Sequence, residues 1–364
     1  MKRKPTGRRR WWQRLKWLLG ISVVVMVLLL SPVAYVELAC QDDAAGQTYK
    51  PLITDPRWQR QEANSYLTYP EWHIVFAYDG LARTLTAGDE HQFGYVRTIS
   101  SFWSSACALT RVAGQHGGAD WGTRSMVHTI GVSFTVEMLA KAAYEETLGR
   151  LTAWIRGTRK TPQDEVIAKM ATDYSAFLRQ TPWYEYPFSR KAQDLWAAPI
   201  DHRVRGWERR LGIGLELQAK AAYANVLAGA VAATEPAQLK IRSVVSGLAT
   251  SRLAQVEGVT VVGTRNGGVE IETPRYAAFT RILADIARRG GTIRDIAGND
   301  EIMASVTVPA GTTFDSRHGT VLLRLARDGQ AGERLLVNVR LQNLATLLTA
   351  VPPGDPGLEH LFDY

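Results

Sequence analysis

The sequence contains none of the short motifs that mark common enzyme families. A G-x-S-x-G nucleophile elbow, an H-E-x-x-H zinc helix, a phosphate-binding P-loop and a Rossmann fingerprint are all missing. Enzymes without these motifs exist, so their absence disfavours catalysis without excluding it. The composition, 46% hydrophobic and 21% charged, is that of a globular protein. We therefore expect no cofactor, and no known family is matched by these residues.

Acidic residues are absent from the first sixteen positions, where eight basic residues lie. These eight residues account for the formal net charge of +8, because the other 35 basic residues balance the 35 acidic ones. A protein that binds nucleic acid needs its basic residues on the binding domain itself. We therefore expect no nucleic-acid partner and assign residues 1–16 to a basic cytoplasmic tail.

Charged residues are also absent from the next stretch, residues 17–36, which is twenty residues long and mostly apolar. At about 1.5 Å per residue, a helix of this length spans a hydrocarbon core of roughly 30 Å. Basic flanks stay in the cytoplasm, and Trp11, Trp12 and Trp17 lie where interfacial aromatic residues anchor a helix. The sequence predicts one transmembrane helix, residues 17–37, in the inner (plasma) membrane, with the rest of the chain in the periplasm.

The sequence has only two cysteines, Cys40 and Cys107, and both follow the predicted membrane helix. A cleaved secretory signal would have a shorter apolar core of about 7–15 residues and a small-residue exit, so we predict an uncleaved signal anchor. Disulfides persist outside the cytoplasm, and an even pair favours a Cys40–Cys107 bridge. The alternatives are a buried free thiol at Cys107 and a lipidated Cys40.

The remaining chain divides into segments of different character, and the predicted fold class is α+β. Residues 38–58 lack apolar periodicity and predict a linker. Residues 59–235 have a helical pattern and predict a mainly α-helical domain. Residues 236–352 contain β-branched runs, a hairpin signal and one amphipathic helix, which predict a small α+β domain with a mostly antiparallel sheet. Residues 353–364 are left as a C-terminal tail.

One octapeptide occurs twice, as EMLAKAAY at Glu137–Tyr144 and as ELQAKAAY at Glu216–Tyr223. Each copy carries Glu and Lys at positions i and i+4, a pair that stabilises an exposed helix face by about 0.2–0.5 kcal/mol. Two solvated helix faces are thus the simpler interpretation, and packing of the two helices through their alanines is the alternative. The central charges argue against a second membrane span.

The segment YLTYPEWHIVFAYDGLA, residues 66–82, combines helix-start signals with residues that can do chemistry. Thr68 and Glu71 have the spacing of a capping box, and Pro70 suits a first helical turn. We therefore predict a structural role for Glu71. His73 falls off the main apolar stripe, so Glu71 and His73 are also kept as candidates for acid–base catalysis.

The most site-like stretch is AGQHGGADWGTRSMVH, residues 113–128. His116, Asp120, Arg124 and His128 lie across a glycine-rich loop that leads into a helix. Of these, His116, Asp120 and His128 could supply the three ligands of an open zinc site, although their spacing matches no standard metal motif. Ordinary loop residues, with Asp120 capping the following helix, are the favoured interpretation.

A second aromatic cluster, TPWYEYPF, contains Trp183, Tyr184 and Tyr186 between two prolines. Aromatic residues bury large areas and anchor either a core or an interface. We predict that this cluster plugs the core of the helical domain. The alternatives are that Trp183, Tyr184 and Tyr186 contact a partner or a glycan, or that they lie at the membrane interface.

These observations predict a single-pass, membrane-anchored envelope protein of bacterial type that binds a partner protein or envelope component, as a binding or scaffolding module. The alternative is a membrane-anchored hydrolase or metal-dependent enzyme that uses the His116–His128 loop. Convergence of His73, His116, Asp120 and His128 in one cleft would favour the enzyme. Scattered histidines would favour the binding module.

Overall fold

The structure is a computed structural model that describes residues 7–42, 49–231, 239–265 and 267–364. Most of its helices precede residue 231, and all of its strands follow residue 239. Part of the predicted linker and the predicted domain boundary at residue 235 lie outside the described residues.

Helix α1, Gly7–Ala39, is the expected apolar N-terminal helix. Its part Trp11–Ala39 is long and apolar enough to cross a membrane, with a mean hydropathy of 2.4 in its most apolar window. It is the one such helix in the described part of the chain. Most of its side chains are exposed, and Val36 is the first buried residue where it meets the rest of the protein.

Eight further helices form the helical region. They are α2 (Ala63–Leu67), α3 (Tyr69–Ala87), α4 (Tyr95–Gln115), α5 (Trp121–Tyr144), α6 (Arg150–Arg156), α7 (Pro162–Leu178), α8 (Phe188–Ala197) and α9 (Arg203–Val231). Local signals define several of their ends. Thr161 and Asp164 form a capping box at the start of α7, and the side chain of Asp120 accepts the backbone N–H of Thr123 in α5. A π-helical turn, Glu145–Gly149, joins α5 to α6.

The capping box predicted at Thr68 and Glu71 does not form. Thr68 has helical angles, φ −75° and ψ −24°, and lies between α2 and α3 without capping either helix. Its hydroxyl donates instead to the carbonyl of Asn64 at 2.8 Å. Because the chain is already helical before Thr68, the amides near Glu71 do not belong to a free helix start.

The region after residue 239 contains two four-stranded antiparallel sheets, ordered β2-β3-β1-β4 and β6-β7-β5-β8. The strands are β1 (Lys240–Ser246), β2 (Thr260–Arg265), β3 (Gly268–Pro274), β4 (Thr292–Ile296), β5 (Glu301–Val308), β6 (Thr320–Ala326), β7 (Glu333–Arg340) and β8 (Gly357–Phe362). The helices are α10 (Thr250–Leu253), α11 (Ala277–Arg288) and α12 (Leu341–Ala350). The mixed helix and sheet content and the antiparallel pairing agree with the prediction. The prediction of a single sheet with one helix was wrong, because the described residues of this region contain two sheets and three helices.

The predicted C-terminal tail is also wrong, because residues 353–364 contain β8. This strand pairs antiparallel with β5, and Leu358, Leu361 and Phe362 are buried. The proline-rich segment before β8 resembles the start of a tail. Burial of three apolar side chains explains why the segment nevertheless completes the sheet.

The two sheets belong to two copies of one unit. Each unit has a first strand, a hairpin, a helix and a fourth strand, with the same spatial order of strands. Register shifts also recur in corresponding strands. They lie at Val261/Gly263 and Val321/Leu323, and at Val244/Val245 and Ser305/Val306. Shared order and shared bulges therefore indicate an internal structural repeat.

The two units share one hydrophobic core. Helix α11 contacts α12 and strand β8 of the second unit, while α12 contacts strand β4 of the first. Phe279 and Leu283 of α11 and Leu344 and Leu348 of α12 are fully buried. Gly290, with a φ of 92°, ends α11 in the left-handed conformation that glycine adopts most readily.

The end of α1 is fixed to the helical region. The Cys40 and Cys107 sulfurs are 2.08 Å apart, the distance of a disulfide. Glu37 accepts hydrogen bonds from Arg124 at 2.8 Å and from His128 at 2.7 Å, both on α5. Helix α1 thus meets α4 and α5 through its last turn.

We expect the Cys40–Cys107 disulfide in protein taken from cell membranes. The bridge closes a loop with a sequence separation of 67, which stabilises the fold by about 4 kcal/mol in the chain-entropy treatment. Mass spectrometry without reduction should detect the linked peptides, and the double Cys→Ala variant should unfold more easily in denaturant. Alkylation of both thiols without prior reduction would contradict the bridge.

The helical region buries charges where a core usually has apolar side chains. Arg205 is 2% exposed and Arg209 is 1% exposed, both on α9. Arg209 Nη1 lies 2.9 Å from Glu145 Oε1, and Arg205 Nε lies 2.9 Å from Asp164 Oδ1. The acidic partners of the two arginines are Asp89, Glu90, Glu145, Asp164 and Glu208. Unpaired charges at such depth would be strongly destabilising.

The repeated octapeptide extends this network. Lys141 of the first copy binds Glu216 of the second at 2.9 Å, and Lys220 of the second binds Glu137 of the first at 2.6 Å. Lys141 also reaches Glu90 at 3.0 Å, which joins the octapeptides to the partners of Arg209. The prediction of two solvated faces is therefore wrong, because the copies face each other across α5 and α9.

The network shifts acidic pKa values in both directions. Burial, followed by the charge of Glu90, raises the pKa of Glu145 to about 7. Burial alone would raise the pKa of Glu216 too, but Lys141 and Lys220 lower it to about 2. The protonation of Glu145 therefore changes near neutral pH.

Replacing Arg209 by Met should destabilise the protein by about 3–5 kcal/mol, because three acidic partners lose a buried counter-charge. Denaturant unfolding of the full chain in detergent measures the difference. Arg203→Met, an exposed change on the same helix, is the control and should stay within about 0.5 kcal/mol of wild type. Similar unfolding of the two variants would show that the buried network is dispensable.

Glu145 should make stability depend on pH. Its pKa rises from an ordinary 4.5 to about 7 on folding, so its contribution is full below about 4.5 and is lost as pH rises through 7. The melting temperature should fall from pH 5 to pH 8, and Glu145→Gln should reduce that fall. Glu146→Gln, an exposed neighbour, is the control. An unchanged pH profile in Glu145→Gln would refute this assignment.

Candidate functional site

A cavity of about 520 Å³ lies where the helical region meets the two sheets. We call it the junction pocket. Glu62 and His116 line it from the helical region, and Asp300 and Glu301 line it from the start of β5. Its ionisable lining residues are Tyr49, Lys50, Glu62, His116, Arg294, Asp300, Glu301 and Arg340.

Three potential metal ligands meet in this pocket. His116 Nδ1 lies 2.9 Å from Glu62 Oε1 and 3.9 Å from Glu301 Oε2. The ligand atoms of Glu62, His116 and Glu301 all lie within 4.8 Å of one another. One imidazole and two carboxylates can hold a divalent transition metal and leave coordination positions open.

Neighbouring side chains hold two of the three ligands, Glu301 and His116, in place. Glu301 Oε1 accepts from Arg340 at 3.1 Å, and Glu301 Oε2 accepts from the Asn338 amide at 2.6 Å. Tyr66 donates to Asn338 at 3.1 Å, and its ring lies 4.8 Å from the ring of His116. Such second contacts orient the ligands of metal sites and raise affinity.

The electrostatics of the pocket favour a bound cation. Burial alone would lower the pKa of His116, but the hydrogen bond to Glu62 and the charges of Glu62, Glu301 and Asp300 raise it above 6.5. Burial and the charges of Glu62 and Glu301 raise the pKa of Asp300. The carboxylates therefore repel one another, and a cation among them would relieve that repulsion.

The other candidates from the sequence lie elsewhere. His73 is buried in the helical core, where its Nε2 donates to the Thr98 carbonyl at 3.0 Å, and burial lowers its pKa to about 4. Glu71 is half-buried, and burial raises its pKa. Glu71 and His73 have different neighbours, since the charges of Arg275 and Asp363 also affect the pKa of Glu71.

The candidate residues in the segment 113–128 have three different roles. Asp120 caps α5, as expected from the sequence. Arg124 and His128 bind Glu37 at the end of α1, whereas His116 faces the junction pocket. The three proposed ligands His116, Asp120 and His128 thus have separate partners. Glu62 and Glu301, which share a cluster with His116, carried no local signal in the sequence.

The aromatic cluster packs into the helical core. The rings of Tyr186 and Tyr174 lie 4.7 Å apart, and those of Trp183 and Tyr223 lie 5.2 Å apart. Tyr186 is buried, so it does not offer a surface to a partner. Trp183 and Tyr184 are half-buried, and their role as partner contacts stays a prediction.

No family model, no curated protein and no solved structure matches the chain. Functional assignment therefore rests on the geometry of the junction pocket and on the surfaces of the helical region.

Proposed function

We propose that the chain is a single-pass, membrane-anchored envelope protein that acts outside the cytoplasm as a binding module. The length and hydropathy of α1 support the anchor. The eight basic residues among positions 1–16, which precede the apolar run, support a cytoplasmic N-terminus, since Lys and Arg flanks stay inside. The Cys40–Cys107 bridge fits the oxidising periplasm that this orientation implies.

The ligand of this module is a divalent cation, or a molecule that carries one, in the junction pocket. The observation that carries this proposal is the convergence of Glu62, His116 and Glu301 within 4.8 Å. A ligand set of one imidazole and two carboxylates suits Zn²⁺ or Mn²⁺ better than it suits Ca²⁺ or Mg²⁺, because Ca²⁺ and Mg²⁺ prefer oxygen ligands only.

A binding role agrees with the way the ligands are distributed. Glu62 and His116 come from the helical region, whereas Glu301 begins β5, so a cation would tie the two regions together. The histidines and acids proposed for catalysis are scattered, with His73 in the core and His128 beside α1. A cation here would therefore act first as a structural link and a ligand anchor.

A metal-dependent hydrolase is the second candidate. The pocket is large, about 520 Å³, and three protein ligands leave a position for water, as in catalytic zinc sites. Arg294 lines the same pocket and could bind an anionic group. Burial and Asp295 raise the pKa of Tyr49, which also lines the pocket, so its hydroxyl keeps its proton and donates a hydrogen bond to Asp295 Oδ2 at 3.1 Å.

Purified full-length protein should bind Zn²⁺ or Mn²⁺ after treatment with a chelator. We expect Glu62→Gln and His116→Ala each to weaken binding at least about tenfold, which is about 1.4 kcal/mol, in calorimetric titration. His318→Ala is the matched control, because His318 lies in the β5–β6 loop and does not line the pocket.

Equal affinity in all of these proteins would show that the metal binds elsewhere, and it would refute the proposed site. Melting curves of each variant separate lost ligands from lost folding. Metal-dependent hydrolysis of ester or phosphoester substrates that disappears in Glu62→Gln would favour the hydrolase over the binding module.

A further inference from the structure

The helical region exposes several large apolar side chains on α5, α6 and α9. We call this set the outer face and define it by Leu139, Leu151, Trp154, Trp207, Leu211 and Leu215. Trp154 is 79% exposed and Leu215 is 69% exposed. Contiguous exposed apolar patches of more than a few hundred Å² mark protein or membrane interaction sites.

The distribution of residues on helix α9 is the reverse of that on a helix at the surface of a soluble protein. Trp207, Leu211 and Leu215 follow one another at four-residue spacing along one exposed side. The opposite side of the same helix carries Arg205 and Arg209, which are buried and ion-paired. Charges paired inside and apolar residues outside are the arrangement of protein in contact with hydrocarbon.

The octapeptides repeat this inversion at the contact between α5 and α9. Lys141 and Glu216 are ion-paired on the inner side, whereas Leu139 and Leu215, close to them in sequence, are exposed. The exposed residues of α9 from Leu211 to Val226 include no charged side chain, since Glu216 and Lys220 are both turned inward. Contact with lipid would therefore leave no unpaired charge at this face.

The end of α1 orients the bundle relative to a membrane. The bridge joins Cys40 to Cys107 on α4, and two residues later Asp42 accepts from Gln115 at 3.2 Å. The chain leaving α1 therefore runs toward the C-terminal end of α4. Within the last turn of α1, Val36 and Glu37 already contact the bundle, so the bundle begins where the apolar helix ends.

Helix α5 runs antiparallel to α4, and this places part of the outer face at one end of the bundle. Near its start, His128 contacts Glu37 at the end of α1. Further along, Thr135 accepts from Trp103, which precedes Cys107 by one turn on α4. The C-terminal half of α5, with Leu139, thus lies toward the N-terminal end of α4, and α9 pairs with it there.

We propose that the outer face lies against the lipid of the same bilayer that α1 enters. This inference rests on the proposed membrane anchor, and its continuity with α1 favours lipid over a second copy of the chain. The border of the face has interfacial chemistry, because the Arg210 guanidinium lies 5.7 Å from the Trp196 ring and 5.5 Å from the Trp207 ring. Tryptophan and arginine are typical of the boundary between lipid and water.

Nitroxide labels on the full chain in phosphatidylethanolamine–phosphatidylglycerol vesicles test this placement. Cysteines for labelling replace Leu151 and Leu215 in the outer face, Leu28 in α1, and Val262, which is 41% exposed on β2. Collisions with oxygen, which partitions into lipid, are compared with collisions with a nickel chelate, which stays in water. Leu151 and Leu215 should collide with the chelate several-fold less than Val262 and should resemble Leu28.

Each other outcome has a distinct meaning. Chelate access at Leu151 and Leu215 equal to that at Val262, with Leu28 protected, would overturn lipid contact and leave the anchor intact. Chelate access at Leu28 would overturn both proposals. Protection from both reagents, with spin–spin broadening that grows with protein density, would identify a second copy as the occupant and also overturn lipid contact. Melting curves matching wild type verify that the labelled variants are folded.

Discussion

The structure of the helical region depends on the buried pairing of Arg205 and Arg209 with carboxylates from other helices. A guanidinium without solvent needs several acceptors in fixed positions, so α9 can pack only where those carboxylates converge. The π-helical turn serves the same pairing, because Gly149 leaves space for the Glu145 carboxylate, which a Cβ at this position would contact. With Arg205, Arg209 and Glu216 turned inward, the opposite side of α9 carries exposed apolar residues, and the outer face is thus a consequence of the ion pairs.

Local patterns in the sequence predicted the elements that local physics decides. Helix α1 follows from an uncharged run, α11 from apolar periodicity closed by Gly290, and the β2–β3 hairpin from two β-branched runs around a turn. The arrangement of the sheets was missed, because strand order and the repeat depend on pairing between distant strands. The octapeptides were misjudged for a similar reason. Glu and Lys four residues apart are typical of an exposed helix. Lys141 faces inward because it binds Glu216 of the second copy, on α9.

The junction pocket was predicted only through His116. Glycines around His116 suggested a site, but its partner Glu62 is 54 residues away and Glu301 begins a strand in another region. No spacing rule connects three such positions, since the fold alone brings them within reach. Asp120 and His128 were grouped with His116 because they are close in sequence. Asp120 instead caps α5, and His128 pairs with Glu37, because α5 places His128 at a distance from the loop.

The junction pocket and the outer face lie at different ends of the bundle, so contact of one of them with a membrane would determine where the other one faces. His116 ends α4 beside Gln115, which contacts the chain after it has left α1. The outer face lies toward the opposite end of α4, where the paired charges of α5 and α9 are buried. If lipid covers the outer face, the junction pocket faces away from the bilayer and stays open to ions in the surrounding water. A cation bound there would fix both sheets to a helical region that the membrane already holds in one orientation.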